Sequence, residues 1–255
     1  MFETYPKGQT GLARTSEIVS FGFPFQEGLV SSVDALRVSG ASQYQFTETA
    51  RWPDGSLKWV LADFLVDSIS ANEYKTGYAI ADGGSGNSGG TTICSLSGGV
   101  LTANTGAMIA RIRTNGFNVF DSVVLSGGTT MVQTGNTGGI TWETNAGVIH
   151  NSNVTNLSRL EIERNGPVHC TVVAEGWFSG IELGYRVIYD FYANKDFVNT
   201  TVTYRNSSPT NPSYKMTDGA QVIIDTTLTG VCSGSAADES SGVYSINGIP
   251  SNTSL

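Results

Sequence analysis

The sequence predicts an all-β chain, and three observations carry that reading. No stretch of twelve residues places apolar side chains at i, i+3, i+4 and i+7 without interruption by Gly, Thr or a β-branched residue. Strand-like runs recur every ten to fifteen residues, separated by Gly, Asn or Ser. Of 255 residues 31 are Gly, only 14% are charged and 10% are aromatic, which describes a turn-rich, weakly charged and folded chain.

The strand candidates follow in order. "LARTSEIVSFG", "DALRVSG" and "LKWVLADFLV" lie before residue 80. "GAMIARIRT", "FNVFDSVVLS", "SRLEIERN", "PVHCTVVAEGWF", "YRVIYDFYA", "FVNTTVTYRN" and "AQVIIDTTLT" come after residue 100. Between the groups, "ADGGSGNSGGTT" (81–92) holds five glycines and no large apolar side chain, so it reads as a flexible connector or a long exposed loop. The division is therefore 1–80, a connector at 81–92, and 93–255. "SGGTTMVQTGNTGG" (126–139) reads as a long hairpin loop inside the second part.

The segment "QFTETARWPDGSLKWVLADF" predicts a hairpin. Pro53 presets φ at the first corner, while Asp54 and Gly55 accept the remaining turn geometry. Strand alternation puts Leu57, Trp59 and Leu61 on one face and Lys58, Val60, Ala62 and Phe64 on the other. Two readings of the tryptophans compete. The favoured one is a packed staple, in which Trp59→Ala costs roughly 3–5 kcal/mol. The other is a platform for a sugar, with Arg51, Trp52, Asp54 and Trp59 as its candidate residues. Trp142 and Trp177 are further stacking candidates under the same two readings.

Charge and composition exclude several classes. A net charge of -8 with no Lys/Arg cluster offers no footprint for DNA or RNA. It also disfavours bulk attraction to a polyanionic glycan. No apolar run is long enough for a membrane helix. "MFETYPKGQTGLARTSE" lacks an apolar leader, so the expectation is release without a signal peptide, as virion proteins are released by lysis, or a leader outside this sequence. An extracellular or virion location follows. Cys94, Cys170 and Cys232 leave two alternatives open, one bridge with a spare thiol or three buried thiols.

A resemblance enters at "GFPFQEGLV" followed by "QFTETARWPDGSLKW". The pattern resembles the N-terminal RIFT-type β-barrel of the exo-rhamnogalacturonan lyase family. Gly22, Pro24, Phe25, Gly28, Gln45, Arg51, Trp52, Asp54, Gly55, Ser56, Lys58 and Trp59 carry it. "RLEIERNGPVHCTVVAEGWF" with "GYRVIYDFYANKDFVNTTVTYRN" resembles, more loosely, that family's central β-sandwich. The implied fold is a small RIFT-like β-barrel followed by a larger antiparallel β-sandwich. In the family, catalysis is attributed to a C-terminal (α/α) toroid that nothing here resembles. No catalytic residue carries over, and activity of this chain alone is not expected.

The remaining chemistry is sparse. A β-eliminating lyase needs a base and a group that neutralises a uronate carboxylate. His150 and His169 have no ligand-spaced neighbours, and His169 reads as a structural strand residue. Glu161 and Glu163 read as acids on a solvated strand face. Neither a metal site nor a cofactor is implied. Sequons at Asn153, Asn156, Asn199, Asn206 and Asn252 matter only in a secreted eukaryotic protein. Three functions follow. The first is the non-catalytic β portion of a carbohydrate-associated, lyase-like protein, with a polysaccharide as partner. The second is a phage tail or fibre component that assembles with itself or other virion proteins. The third is a free-standing carbohydrate-binding module.

Overall fold

The computed structural model describes residues 2–3, 13–144, 146–206, 217–227, 231–238 and 242–250. Asn252 and the side chains of Asn206 and Cys232 lie outside the described residues. The chain is all-β, as the periodicity predicts. Among the described residues the helical elements are two three-residue 3-10 turns, Val33–Ala35 and Ser152–Val154. None is long and apolar enough to cross a membrane.

The first strands are β1 (Phe2–Glu3), β2 (Arg14–Pro24), β3 (Leu36–Ser39), β4 (Tyr44–Arg51), β5 (Leu57–Ile69), β6 (Tyr74–Lys75) and β7 (Ala79–Asp82). They pair as β2-β5-β4, β3-β7 and β1-β6. β5 is the central strand, antiparallel to β2 along one edge and to β4 along the other. Its alternation is visible in the core, where Val60, Ala62, Phe64 and Val66 are buried beside Leu36, Val38 and Phe46. Each large side chain so buried contributes roughly 1.5–3 kcal/mol. Leu57 departs from the expected alternation and is also buried. The register shifts between Ala50 and Arg51, so that Arg51 faces Leu57 while Ala50 faces Trp59. That bulge leaves Lys58 as the extra residue and turns Leu57 inward.

The later strands are β8 (Cys94–Ser97), β9 (Val100–Asn104), β10 (Met108–Arg113), β11 (Ser122–Leu125), β12 (Thr130–Val132), β13 (Gly139–Thr144), β14 (Ile149–Asn151), β15 (Leu157–Asn165), β16 (His169–Trp177), β17 (Leu183–Tyr192), β18 (Val198–Asn206), β19 (Thr217–Ile223), β20 (Val231–Asp238) and β21 (Gly242–Pro250). Their orders are β12-β11-β10-β9-β8, β14-β13-β19, β15-β16-β17-β18 and β20-β21.

Two compact units result, and they are not contiguous in sequence. The first comprises Met1–Cys94 with Ile162–Thr171 and Asp190–Val198. The second comprises Ser95–Glu161, Val172–Tyr189 and Asn199–Leu255. Within the first, the glycine-rich segment is pinned by backbone hydrogen bonds. Gly84 and Gly86 donate to Ala35 and Leu36, and Ser88 donates to Tyr44. The same unit contains a Cys94–Cys170 disulfide with a Cα–Cα distance of 6.3 Å, which decides between the two cysteine alternatives. The Asn165 carboxamide braces it, accepting from the Cys94 N–H at 3.0 Å and donating to its carbonyl at 2.7 Å.

In the second unit, Leu101, Ile112, Phe117, Ile140, Tyr185 and Tyr189 are fully buried. Phe117 and Tyr185 stack at 5.5 Å, and the Tyr189 hydroxyl donates to the Val119 carbonyl at 2.8 Å.

Candidate functional site

The hairpin turn is a lock between two stretches of the first unit. Trp52 N–H donates to the Ser56 carbonyl at 2.8 Å, and Gly55 N–H donates to the Trp52 carbonyl at 2.9 Å. The Ser56 hydroxyl donates to Asp54 at 2.5 Å and accepts from the Gly28 N–H at 2.9 Å. Gly28 sits at φ 77°, a left-handed conformation that costs other residues about 1–2 kcal/mol. Trp52 Nε1 donates to the Phe25 carbonyl at 3.0 Å, Phe25 N–H donates to Lys58, and Leu57 N–H donates to Val30. Arg51 donates to the Ser31 and Gly55 carbonyls and pairs with Glu48. The Ser56 hydrogen bonds hold the Asp54 carboxyl below its ordinary value. The polar groups of Arg51, Trp52 and Asp54 are thus engaged within the turn, with Arg51 and Asp54 at its exposed surface.

Trp59 does not behave as the buried staple expected of it. It is 43% exposed, and its ring lies over Gly22, where an added Cβ would stand 3.8 Å from the indole. The face that alternation assigns to Trp59 is the outer face of β5, and the bare glycine lets the indole rest there. The staple is Trp52, half-buried, with Lys58 Nζ 4.4 Å from its ring centroid. Trp142 and Trp177 belong to the second unit. Trp142 is half-buried against Tyr204 at 5.7 Å, and Trp177 is 45% exposed over Gly184.

The strongest polar constellation of the first unit was only half visible in the sequence. Gln45, from the family-like motif, is buried, and its Oε1 accepts from the N–H groups of Val168 and His169 at 2.9 Å each. Its Nε2 donates to the His169 carbonyl at 2.9 Å and reaches Asp63 at 3.4 Å. Gly166 lies so close that any side chain there would strike Gln45. Asp63 is fully buried and also accepts from Ser20. His169 sits between two carboxylates, Nδ1 3.3 Å from Asp63 and Nε2 2.9 Å from Asp190. Arg164 lies 3.4 Å from Asp63 and 3.8 Å from Asp190, and Thr171 donates to Asp190 at 2.7 Å. Tyr192 covers the imidazole at 4.4 Å.

Burial opposes charge on His169, but hydrogen bonds to Asp190 and Asp63 and the Asp63 charge outweigh it, and the pKa is raised. Burial likewise opposes the Asp190 carboxylate, and hydrogen bonds from His169 and Thr171 prevail to lower its pKa. Both ring nitrogens face carboxylates, so the imidazolium with Arg164 balances Asp63 and Asp190. His169 is structural, as the sequence suggests, through ion pairing more than apolar packing. The overlooked signal was Asp63, a lone charge within "VLADFLV".

Glu161 and Glu163 are exposed on β15, as expected. His150 is held by the Ser179 carbonyl at 3.0 Å. Among the described residues no group of three His, Cys, Asp or Glu is placed to hold a metal ion. An open groove of about 670 Å³ in the first unit is lined mainly by Phe21, Phe23, Phe64, Tyr78 and Ile80. Its one charged side chain, Lys75, is engaged by Glu73 at 3.1 Å, so the groove presents little that could orient a sugar.

Residues 9–77 match the PcRGLX-like N-terminal RIFT barrel domain. The match runs from before β2 through β6 and takes in both locked motifs, so the resemblance of this part is borne out. No curated protein matches the chain. The matched residues include those that close the turn and Gln45, whose carboxamide is held against the 166–169 backbone.

Proposed function

We propose that this chain is the non-catalytic β-domain portion of an exo-rhamnogalacturonan-lyase-like, carbohydrate-associated protein. The observation that carries the reading is the use made of the RIFT motif residues. Arg51, Trp52, Asp54, Ser56 and Gln45 spend their hydrogen-bonding groups on one another and on nearby backbone. Groups so committed support a scaffold and are not themselves poised as an acid, base or nucleophile. Trp59, an indole spread over Gly22 on an outer sheet face, is the barrel's candidate sugar contact. A pyranose buries its C–H face on such a ring at little entropic cost, because the ring is already held.

The test is retention of the chain in gels containing rhamnogalacturonan, with absorbance followed for unsaturated uronate. Retention without new absorbance is expected, and Trp59→Ala weakens it several-fold. Absorbance that grows with the chain alone overturns the non-catalytic part. Absence of retention on acidic and neutral glycans alike overturns carbohydrate association.

A further inference from the structure

β2 is an edge strand. In the sheet β2-β5-β4 it pairs with β5 on one side, and among the described residues no strand pairs with its other side. The ladder fixes which backbone groups face that free side. Phe25 N–H donates to the Lys58 carbonyl at 3.0 Å, so 25 and 58 are a hydrogen-bonded pair. In an antiparallel ladder such pairs alternate with pairs whose N–H and carbonyl groups turn away. Phe23, Phe21 and Val19 therefore bond to β5, opposite Val60, Ala62 and Phe64. Ile18, Ser20 and Gly22 direct theirs outward. The far side of β5 agrees, because Leu65 N–H donates at 2.9 Å to the carbonyl of Gln43, just before β4. Outward groups of this kind are a template for another extended chain, and edge strands are ordinarily guarded by a charge or a proline. From Ile18 to Phe23 there is neither. The stretch ends at Pro24, and below it Lys195 reaches the Thr15 carbonyl at 3.5 Å and Glu17 at 3.7 Å.

The side chains beside this edge are apolar and uncovered. Val19, Phe21 and Phe23 lie on the sheet face that carries Val60, Ala62 and Phe64, yet Phe21 is 36% and Phe23 37% exposed. They line the groove of about 670 Å³ together with Tyr78 and Ile80. Phe21 meets Phe64 edge-on at 6.0 Å, which fixes its ring there. An extended strand laid against β2 sets alternate side chains into this groove while its backbone answers Ile18, Ser20 and Gly22. A lipid chain would fill the groove without answering the backbone, and a sugar would do the reverse.

The geometry points to a second copy of this chain as the occupant, paired through β2 in an antiparallel, two-fold arrangement centred on Ser20. In that register β2 is complementary to itself. Ser20 faces the partner's Ser20, Ile18 faces the partner's Gly22, and Gly22 faces the partner's Ile18. All three are outward-facing positions, so each pair exchanges two backbone hydrogen bonds. Val19 then faces the partner's Phe21, and Phe21 the partner's Val19, an aromatic against a β-branched side chain at the closely spaced positions. Both copies present the same patch, as a two-fold interface requires. The net charge of -8 does not oppose this approach, since Ile18–Pro24 is uncharged and charges farther off than about 8 Å are largely screened. These seven residues span about 23 Å, a contact of the small class that associates reversibly. The dimer therefore depends on concentration.

The experiment is sedimentation equilibrium of the full chain from micromolar to millimolar concentration, with backbone hydrogen exchange read at both ends of that range. A reversible dimer is expected. The Ser20 and Gly22 amides should exchange at least ten-fold more slowly in the concentrated sample, while those of Val19, Phe21 and Phe23, already bonded to β5, change little. Phe21→Lys and Ile18→Lys, one on each face of the strand, should each weaken association at least ten-fold. Because Phe21 packs on Phe64, circular dichroism of each variant is compared with that of the parent. If Phe21→Lys does not fold, Ile18→Lys and the amide pattern of the unmodified chain decide. A monomer at every concentration overturns the proposal. So does a dimer that survives both substitutions or leaves Ser20 and Gly22 exchanging freely, since it would form elsewhere. Equal protection of these two amides at every dilution also overturns it, because the chain's own residues would then cover the edge.

Discussion

His169 presents Nε2 to Asp190 Oδ1 at 2.9 Å, an ion pair in which the imidazole is nearly buried and the carboxylate partly exposed. Asp63 receives the other ring nitrogen, so the ring is held from both sides. Arg164, with Nη2 3.5 Å from the His169 Nε2, is a cation that opposes the imidazolium charge. The stability of the first unit therefore depends on pH in a defined sense. The raised His169 value means its contribution is complete below the ordinary histidine value of about 6.5 and is lost as pH rises through the folded value. The lowered Asp190 value means its contribution is complete above about 3.9 and is lost as pH falls through the folded value. Thermal unfolding at stepped pH should show a plateau between these limits and a decline on the alkaline side. His169→Asn should flatten that decline, and an unchanged alkaline slope in the variant would sink the assignment.

Gln45 is the one side chain that satisfies both the Val168 and His169 N–H groups. Gln45→Leu leaves two buried donors unpaired, at about 1–3 kcal/mol each. Urea denaturation should show a loss of about 2–6 kcal/mol, and a change within error would mean that water replaces the carboxamide.

The two hairpin tryptophans should differ in what their removal costs, with Trp52 and not Trp59 the costlier. Trp52→Ala removes a half-buried ring and its hydrogen bond to Phe25, at about 3 kcal/mol. Trp59→Ala removes a ring 43% exposed, at about 1 kcal/mol. Ranked chemical-denaturation midpoints of the two variants decide the matter, the reverse order restoring Trp59 as the staple.

Ser56 bridges Asp54 and Gly28, so Ser56→Ala strands the Gly28 N–H. Gly28 is exposed, so the loss expected is the net worth of a hydrogen bond, about 0.5–1.5 kcal/mol. Ser56→Thr, which keeps the hydroxyl, should recover much of it if the bridge is the cause.

Cys94 and Cys170 are 76 residues apart, and closing a loop of that length restricts the unfolded chain by about 4 kcal/mol. The double variant Cys94→Ser, Cys170→Ser should lower stability by that order, and adding reductant to it should change nothing further.

The sequence alone determined that the chain is all-β, because strand period and turn residues act over a few positions, and the RIFT motifs were legible there as a family resemblance. It also placed the corner at Pro53–Gly55, whose geometry is set by the backbone preferences of Pro, Asp and Gly. Only the tertiary structure decided which tryptophan is buried, since a one-residue bulge beside Lys58 and the bare backbone at Gly22 are invisible to alternation. It alone gathered Asp63, Arg164, His169 and Asp190 into one ion cluster. Such groupings bring together residues tens to a hundred positions apart, and local pattern holds no information about which distant charge will neutralise which.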